Sequence, residues 1–428
     1  MPWFIVVILS LFLLGDALWA SWAAYRLTRP GVRGTRAMWL GLSVVAVFLA
    51  VVVGSLLASI YLRLSDADMR VPKLLQMSVF LWHLLVLPLT LVVLSLTGAA
   101  AAVLTRLRRR RETPTSSEDD ARGRADAAAG EELSRRRVLA LATAAAPPAA
   151  VVLATGVSLP RLDDFRVREL TVPLPNLPAD LDGLTIAHLS DTHLGEFTPG
   201  RIYRKLLEAT QALRADLIVH TGDIINVDAD DIPEALEGLS KLQARLGVFV
   251  CEGNHDLIQA PRRFWEEARR RSGFRFLRNE AATVVYRGCP VQVLGLRWGG
   301  VPTPGPVPSD ADDAMRRRRD RSDAAIAASC QQLSTLVEDD AFPVLLAHHP
   351  HAFDFAPYAR LTLAGHTHGG QLNVSKSVSP GRLMYRYWSG LYDKPDGRRL
   401  VVSNGAGNWF PLRINAPAEI VKLTLRRG

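Results

Sequence analysis

Acidic, amide and imidazole side chains follow a series of short apolar runs in the second half of the chain. Nine of the ten histidines lie between residues 188 and 368. Divalent cations of hard or borderline character prefer carboxylate, amide and imidazole ligands. The candidate positions are Asp191 and His193, Asp223, Asn254 with His255 and Asp256, His348, and His366 with His368. These residue types predict a metal site assembled from distant parts of the chain.

The spacing of these residues suits a pair of metals. Asp191 and His193 are two positions apart, so at an extended strand end their side chains share one side. Two metals about 3.5–4 Å apart need a bridging carboxylate. Asp223 follows an apolar run and a glycine that permits a sharp turn, which favours it as the bridge.

Six β-rich apolar runs alternate with helical patterns and must position these side chains. The runs are residues 184–190, 216–222, 247–253, 291–296, 344–348 and 361–365. Sheets of α/β proteins place ligands at the carboxyl ends of their strands. The polar clusters that end these runs are therefore expected to form one site.

Five motifs occur in order within this region: SDTHLG, TGDIIN, EGNHD, LLAHHP and GHTHGGQ. With the closing NGAGNWFPLRINAPAEIVKLTL, they make residues 180–428 resemble the calcineurin-like metallophosphoesterases, especially their membrane-associated or exported bacterial branch. The resemblance implies an α/β metallophosphoesterase domain, a two-sheet β-sandwich flanked by helices, with a dinuclear site at one end of the strands.

The resemblance also assigns roles. It implies that His255 lies beside two divalent ions without binding them, and either donates a proton to the leaving-group oxygen or stabilises charge on the phosphoryl group, while a metal-bound hydroxide attacks phosphorus. The mixed oxygen and nitrogen donors admit manganese, iron or zinc. The implied ligands are Asp191, His193 and His368 for one ion, Asn254, His348 and His366 for the other, and Asp223 as the bridge.

Three neighbouring residues have less certain roles by sequence alone. His348 is favoured over His349 as the ligand because in the family the ligand precedes the proline by two positions; His349 is then left to support the site or meet substrate. Asp256 either braces His255 or caps the following turn. Gln371 either shapes its loop or touches substrate.

The first half of the chain has the composition of a membrane anchor. Residues 3–25, 38–62 and 74–104 are apolar runs long enough to cross hydrocarbon, and they predict three transmembrane helices within residues 1–105. Arginines are concentrated in the first loop and after the third run. Since such residues resist translocation, these segments are expected in the cytoplasm and the N-terminus outside.

The next segments connect this anchor to the motif region. Residues 106–137 are polar and charged, and predict a disordered cytoplasmic linker. Residues 138–159 form either a fourth transmembrane helix or a twin-arginine-like signal anchor, since residues 134–139 match the Ser-Arg-Arg-x-aliphatic-Leu pattern. Both alternatives place the domain at 160–428 on the extracytoplasmic side of the cell membrane, and cleavage after the anchor stays open.

Charge and cysteine content exclude other classes of function. The net charge is +9, but residues 1–137 hold 17 basic and 10 acidic residues, so the remainder is close to neutral. Binders of the nucleic acid backbone are generally basic, which disfavours a nuclease. Three scattered cysteines indicate neither a disulfide framework nor a cysteine-based zinc site. Residues 297–322 predict a flexible insertion, either a solvated segment or a lid whose Arg316–Arg319 attract an anionic substrate or a lipid surface.

These observations lead to one main function and one alternative. We expect a membrane-anchored phosphomonoesterase or phosphodiesterase whose substrate is a lipid-linked or cell-envelope phosphate. The alternative is a catalytically silent metal-binding membrane sensor or scaffold. The presence of His255 argues against this alternative, because a purely structural metal site needs no proton donor.

Overall fold

The computed structural model describes the whole chain except residues 1–2, 30–31, 66–70, 112–121, 299–310, 374 and 376–378. The chain divides into two compact units, residues 1–159 and 160–428. Part of the predicted insertion and part of the predicted linker fall outside the described residues, as do the side chains of Arg316–Arg319.

The first unit is helical. Four of its helical segments are long and apolar enough to cross a membrane, as the sequence predicts. The helices are α1 (Trp3–Leu27), α2 (Arg36–Leu64), α3 (Lys73–Leu81), a π-helical turn (Trp82–Val86), α4 (Leu87–Arg111) and α5 (Arg122–Ser158).

Two segments of this unit differ from the sequence prediction. The helical segment that carries the third apolar run, residues 74–104, extends past the run, since α3, the π turn and α4 continue to Arg111. Residues 122–137 are not the irregular linker that their polarity predicts, because α5 begins at Arg122. This stretch is rich in alanine, which has the highest helix propensity of all residues, and charged side chains are compatible with a helix surface.

A polar cluster lies inside the first unit. The indole Nε1 of Trp82 donates to Asp16 Oδ1 at 2.6 Å, and His83 Nε2 lies 3.2 Å from Asp16 Oδ2. All three side chains are buried. In hydrocarbon an unpaired carboxylate is costly, so this cluster joins α1 to the π turn.

The second unit contains two six-stranded sheets. One has the strand order β1-β12-β2-β3-β4-β5 and the other β10-β11-β9-β8-β7-β6. The strands are β1 (Arg166–Leu174), β2 (Thr185–Leu189), β3 (Leu217–His220), β4 (Val248–Val250), β5 (Arg275–Phe276), β6 (Glu280–Tyr286), β7 (Cys289–Gly295), β8 (Phe342–Leu346), β9 (Leu361–Ala364), β10 (Gly390–Asp393), β11 (Arg399–Val402) and β12 (Glu419–Arg427).

Alternating burial along the strands builds two cores. Ile186 belongs to the core shared by both sheets, whereas its neighbour Ala187 faces the helices that cover the first sheet. This alternation follows from the two-residue period of a strand. The flanking helices are α6 (Gly200–Ala212), α7 (Ile232–Ser240), α8 (Pro261–Arg270), α9 (Ala311–Ser334), α10 (Ala352–Phe355) and α11 (Pro380–Met384). The predicted sandwich flanked by helices is therefore confirmed.

Part of the predicted insertion at 297–322 is helical rather than flexible. Helix α9 begins at Ala311 and continues to Ser334. Ile326, Cys330 and Leu333 recur at helical spacing and are buried in a core with residues of the second sheet. Because the apolar stripe lies beyond residue 322, the composition of the insertion alone did not indicate the helix.

The edge strand β1 is fastened to β12 by a buried carboxylate. The two strands pair in parallel from Arg166 with Glu419 to Leu174 with Arg427. Glu419 accepts from the guanidinium of Arg166 at 2.9 Å and from that of Arg168 at 2.9 Å. Its side chain is fully buried, so these bonds compensate the cost of removing its charge from water.

Candidate metal centre

The candidate ligands follow directly after five strand ends. Strands β2, β3 and β4 are parallel neighbours in one sheet, and β8 and β9 are parallel neighbours in the other. Parallel strands end at the same edge, so both sheets deliver polar loops to one place. The first ligand after each strand is Asp191, Asp223, Asn254, His348 or His366.

Five of the candidate ligands have a left-handed backbone. This conformation is uncommon outside glycine and costs on the order of 1–3 kcal/mol per residue. Such clustering points to functional constraint at these strand ends. The φ angles are 51° for Asp191, 44° for His193, 56° for Asp223, 71° for His366 and 49° for His368.

Three fully enclosed side chains form what we call the buried half of the centre: Asp191, His193 and His368. The Nε2 atoms of the two histidines lie 3.0 Å apart, and His368 Nε2 lies 3.3 Å from Asp191 Oδ1. Exposure is 3% or less for each residue. Three ligand atoms thus converge on one point away from solvent.

The other three, Asn254, His348 and His366, form the open half. His348 Nε2 lies 3.2 Å from Asn254 Oδ1 and 3.2 Å from His366 Nδ1. His348 is buried, whereas Asn254 and His366 are partly exposed. The same kinds of donor atoms therefore meet in a more accessible place.

Asp223 lies between the two halves. Its Oδ2 is 3.5 Å from His193 Nε2 and 3.1 Å from His348 Nε2. Its Oδ1 accepts from the backbone N–H of His255 at 2.8 Å. A β-carbon at Gly253 would collide with this carboxylate, so the glycine is required for the close approach.

Burial and mutual charge set the protonation of the buried half. Burial raises the pKa of Asp191 to about 6, and the Asp223 charge adds to this effect. Burial also lowers the pKa of His193 and of His368 well below the usual value. Both imidazoles are thus neutral at pH 7, which is the form that binds metals.

Protonation differs around the bridge. Burial alone would lower the pKa of His348, but the adjacent Asp223 carboxylate raises it to about 9. Burial disfavours the charge of Asp223, yet His348 and His255 hold its pKa well below the ordinary range. Burial lowers the pKa of His366 to about 3. In the open half, His348 therefore carries a proton that a cation would have to replace.

The donor set fits divalent metal ions. The ligand atoms of Asp191, His193 and His368 lie within 4.8 Å of one another, and so do those of Asp223, His348 and His366. The Nε2 atoms of His193 and His368 face each other in a buried place. If neither nitrogen were protonated, two lone pairs would repel each other there, so a cation or a proton must lie between them. Mixed carboxylate, amide and imidazole donors suit manganese, iron or zinc.

His255 has a defined hydrogen-bond geometry. Its Nδ1 lies 2.5 Å from the carbonyl oxygen of Asn226. A carbonyl only accepts, so Nδ1 carries a proton and Nε2 is the nitrogen left for exchange with a bound molecule. The ring centroid lies 4.6 Å from that of His193. His255 thus lies beside the candidate ligands.

Asp256 supports the loop that carries the bridge. Its carboxylate accepts from the backbone N–H groups of Asp223 at 2.9 Å, Ile224 at 2.7 Å and Gly253 at 2.8 Å. These partners all precede Asp256 in the chain, so it caps the loops after β3 and β4, and not the following turn that the sequence offered as one of its two roles. The carbonyl of Asn226 takes the bracing position at His255.

A directed chain of hydrogen bonds ends on Asp191. Thr221 Oγ1 lies 2.9 Å from His188 Nε2 and donates to Ser190 Oγ at 2.7 Å. Ser190 Oγ then donates to Asp191 Oδ2 at 2.5 Å. This chain occupies one carboxylate oxygen and leaves Oδ1 facing His368, which orients the ligand.

Two residues near the centre received no role from the sequence. Arg413 Nη2 lies 3.0 Å from Nδ1 of His368. Ser190 bonds the Asp191 carboxylate as described above. Arg413 lies 45 positions from His368, and no spacing in the sequence pairs them. Ser190 directly precedes Asp191, but a serine at this position does not by itself indicate a bond to the carboxylate.

Other sequence-predicted residues lie around the centre. The His349 ring lies 5.0 Å from that of His366. Gln371 Nε2 donates to the carbonyls of Phe410 and Leu412, both at 3.0 Å, so it shapes the loop. The Trp298 ring lies 5.4 Å from that of His348, so Trp298 packs beside the open half.

A cavity of about 230 Å³ opens over the centre. Met384, Tyr385 and Trp409 contribute its apolar wall, and Gln371 also lines it. Met384 is 64% exposed and Trp409 is 37% exposed. The ligands that face the cavity are Asp223, Asn254, His366 and His368, together with His255.

Comparisons with known proteins agree with this architecture. Residues 184–370 match the model of the calcineurin-like phosphoesterase family. A transmembrane protein with metallophosphoesterase domain of Danio rerio is 27% identical, covering 61% of this chain and 58% of that protein. An uncharacterized metallophosphoesterase of Campylobacter jejuni is also 27% identical, covering 61% and 63%. One of Bacillus subtilis is 29% identical, covering 60% and 84%. The alignments thus span about three fifths of the first two relatives.

Proposed function

We propose that this chain, whose residues 184–370 are a calcineurin-like phosphoesterase domain, is a membrane-anchored hydrolase of phosphoesters that uses two divalent metal ions. The observation that carries this proposal is the convergence of the two halves on Asp223, which lies 3.5 Å from His193 Nε2 and 3.1 Å from His348 Nε2.

Each half would hold one ion, and Asp223 would belong to both. When bound, two divalent ions supply positive charge for phosphoryl oxygens and lower the pKa of a coordinated water, so that it attacks at neutral pH. The protein's own contribution is a fixed geometry: strained strand ends, Gly253 and the Asp256 cap hold the ligands before metal arrives.

His255 would donate a proton to the leaving-group oxygen. Its Nδ1–H is committed to Asn226, so the ring is held in one orientation with Nε2 as the exchanging nitrogen. His255 lines the cavity together with Asn254 and His366. An imidazole suits this role because its ordinary pKa lies close to working pH.

The cavity wall supports an amphipathic substrate. A phosphate at the metals would lie beside Met384, Tyr385 and Trp409, and two of these side chains are well exposed without a bound partner. An apolar group attached to the phosphate would cover them. We therefore propose a lipid-linked or cell-envelope phosphate, either a monoester or a diester.

The membrane unit supports an extracytoplasmic location of the domain. Arginines follow α1 and form the last turns of α4, and basic segments are retained in the cytoplasm. The next apolar segment, Arg137–Arg161, is long enough to cross the membrane. If it crosses from the cytoplasm, residues 160–428 lie on the outer side, whether or not the segment is later cleaved.

The decisive experiment compares wild type with Asp223→Ala in the full chain, purified in detergent and loaded with manganese. Wild type is expected to hydrolyse an aryl phosphoester, and the variant to lose at least about 10³-fold of kcat/KM, because both halves lose a ligand. Wild-type protein that binds manganese but is inert toward mono- and diesters would instead favour the sensor or scaffold.

His255→Asn separates proton transfer from metal binding. We expect kcat to fall by about 10²–10⁴-fold, the usual contribution of general acid catalysis, with an unchanged metal content. The effect should shrink for an ester whose leaving group is a weak base, since that oxygen needs no proton. Equal losses for good and poor leaving groups would contradict the role of His255.

A further inference from the structure

We infer that Trp409 selects the leaving group of the substrate, and that this leaving group is apolar. The inference deepens the proposed phosphoesterase function and rests on it. It assigns the apolar group to the end of the substrate that departs, and not to a group that stays on phosphorus. Trp409 lies in the segment between β11 and β12, and it is not one of the candidate metal ligands.

The indole of Trp409 is held by its chain neighbours but is open to the cavity. The backbone N–H of Asn408 donates to Thr198 Oγ1 at 2.8 Å, and its side chain donates to the carbonyl of Leu162 at 2.9 Å. Phe410 is buried, and its ring lies 5.6 Å from that of Trp409. Trp409 itself is 37% exposed and lines the cavity. The segment therefore presents the indole to a bound molecule with little conformational freedom left to lose.

Trp409 lies on the side of the cavity where the leaving group would depart. Its ring centroid lies 6.5 Å from that of His255 and 6.3 Å from that of His368. The Nδ1–H of His255 is committed to the carbonyl of Asn226, so Nε2 is the nitrogen that would protonate the leaving-group oxygen. The group attached to that oxygen is one covalent bond away and would lie against the indole.

The second aromatic residue of the cavity wall lies beside different histidines. The ring of Tyr385 is 5.7 Å from that of His366 and 6.3 Å from that of His349. It therefore belongs to the open half, whereas Trp409 belongs to the side of His255. The two rings would contact different parts of a bound ester.

The chemistry of the indole defines the class of leaving group. The broad apolar face of a tryptophan gains free energy when it covers apolar surface, and an aromatic partner adds a stacking contribution. An aryl or alkyl alcohol fits this face. Trp409 would thus favour esters whose departing alcohol is apolar.

The test uses the full chain in detergent, loaded with manganese, and two series of synthetic esters. In the first series the leaving group grows from phenyl to para-ethylphenyl and para-butylphenyl, as phosphate monoesters and as methyl diesters. These phenols have similar basicity, so the demand on His255 stays constant. In the second series the leaving group is always para-nitrophenolate, and the retained group grows from methyl to butyl.

Trp409→Ala should remove the preference for a larger leaving group. We expect kcat/KM to fall by about 10–100-fold more for para-butylphenyl than for phenyl esters, because each covered methylene contributes about a factor of four. In the second series the loss should not depend on the retained group. Partition of the esters into detergent cancels, since both proteins are measured in the same solution.

Two further variants separate selection from packing. Trp409→Phe keeps an aromatic face and should keep most of the preference. Tyr385→Leu removes a ring from the same cavity, and its loss should not grow with the leaving group. Metal analysis of every variant should give the wild-type content, which a ring that only packs the centre would not leave unchanged.

The outcomes distinguish this inference from the proposed function. An equal loss for phenyl and para-butylphenyl esters in Trp409→Ala, a loss that grows with the retained group, or a loss of metal would each overturn the role of Trp409. A wild-type chain that binds manganese and cleaves neither series would reject the proposed function, and this inference with it.

Discussion

The two halves of the candidate metal centre use similar donor atoms in different surroundings. Asp191, His193 and His368 are buried, although His368 also lines the cavity, and Ser190 and Arg413 contact two of the three. In the open half, Asn254 and His366 are partly exposed and face the cavity. The comparison teaches that similar donor atoms can be assembled once in a buried cluster and once in a cluster that is partly open to the cavity.

The charges of the two halves differ as well. The buried half has its own carboxylate, Asp191, while the open half has the neutral amide of Asn254. Both share Asp223. Because a carboxylate is much harder to replace with water than an amide is, the buried half should hold its ion more tightly and exchange it more slowly.

The largest expected difference comes from removing one ligand of each half. Asp191→Asn should lower kcat/KM by about 10³-fold, since the enclosed site loses its charge and water has little access to replace it. Asn254→Ala should lower kcat/KM by only about 100-fold, because a water can take the place of the amide at this partly exposed position. Asparagine at 191 tolerates the left-handed backbone. Steady-state kinetics and metal analysis test both variants. Equal losses of kcat/KM in the two variants would contradict the difference between the halves.

The pH dependence of manganese affinity should distinguish the halves next. A proton competes with metal at each ligand, so affinity falls about ten-fold per pH unit below the ligand pKa and levels off above it. In the buried half, the affinity should level off above the pKa of Asp191, which is about 6. In the open half, it should level off only above the pKa of His348, which is about 9. Dialysis from pH 5 to 9 should therefore show one affinity reaching a plateau near pH 6 while the other still rises.

Ser190→Ala should give the smallest effect. It removes the donor to Asp191 Oδ2 and the hydroxyl that accepts from Thr221 Oγ1. We expect about 1 kcal/mol less stability and up to about ten-fold weaker binding in the buried half only. Ser329 is a buried serine in α9, so Ser329→Ala is the control for stability. Weaker manganese binding in the open half instead would contradict the role given to the hydrogen bonds from Thr221 through Ser190 to Asp191.

The sequence predicted the strands and the ligands because both leave local patterns. Six apolar runs, five of them ending in or followed by Asp, Asn or His, indicated where β2, β3, β4, β7, β8 and β9 would be. Hydropathy likewise indicated the four apolar helices. These features depend on residues within one short window.

Contacts between distant residues were beyond the sequence. Arg413 lies 45 positions from His368 along the chain, and nothing in their spacing indicates that they touch. The helix over 122–137 was also missed, because its polarity suggested disorder while its alanine content favours helix. The role of Asp256 required the backbone directions of four loop residues, which only folding defines.

The pairing of β1 with β12 has a mechanical consequence. Chain leaving the last apolar helix enters β1 within a few residues. A force applied along the axis of β1 would load nine residue pairs and the Glu419 carboxylate simultaneously in shear, instead of opening them one after another. Such a force would act at an outer edge of the first sheet, three strands away from β3 and the aspartate that follows it.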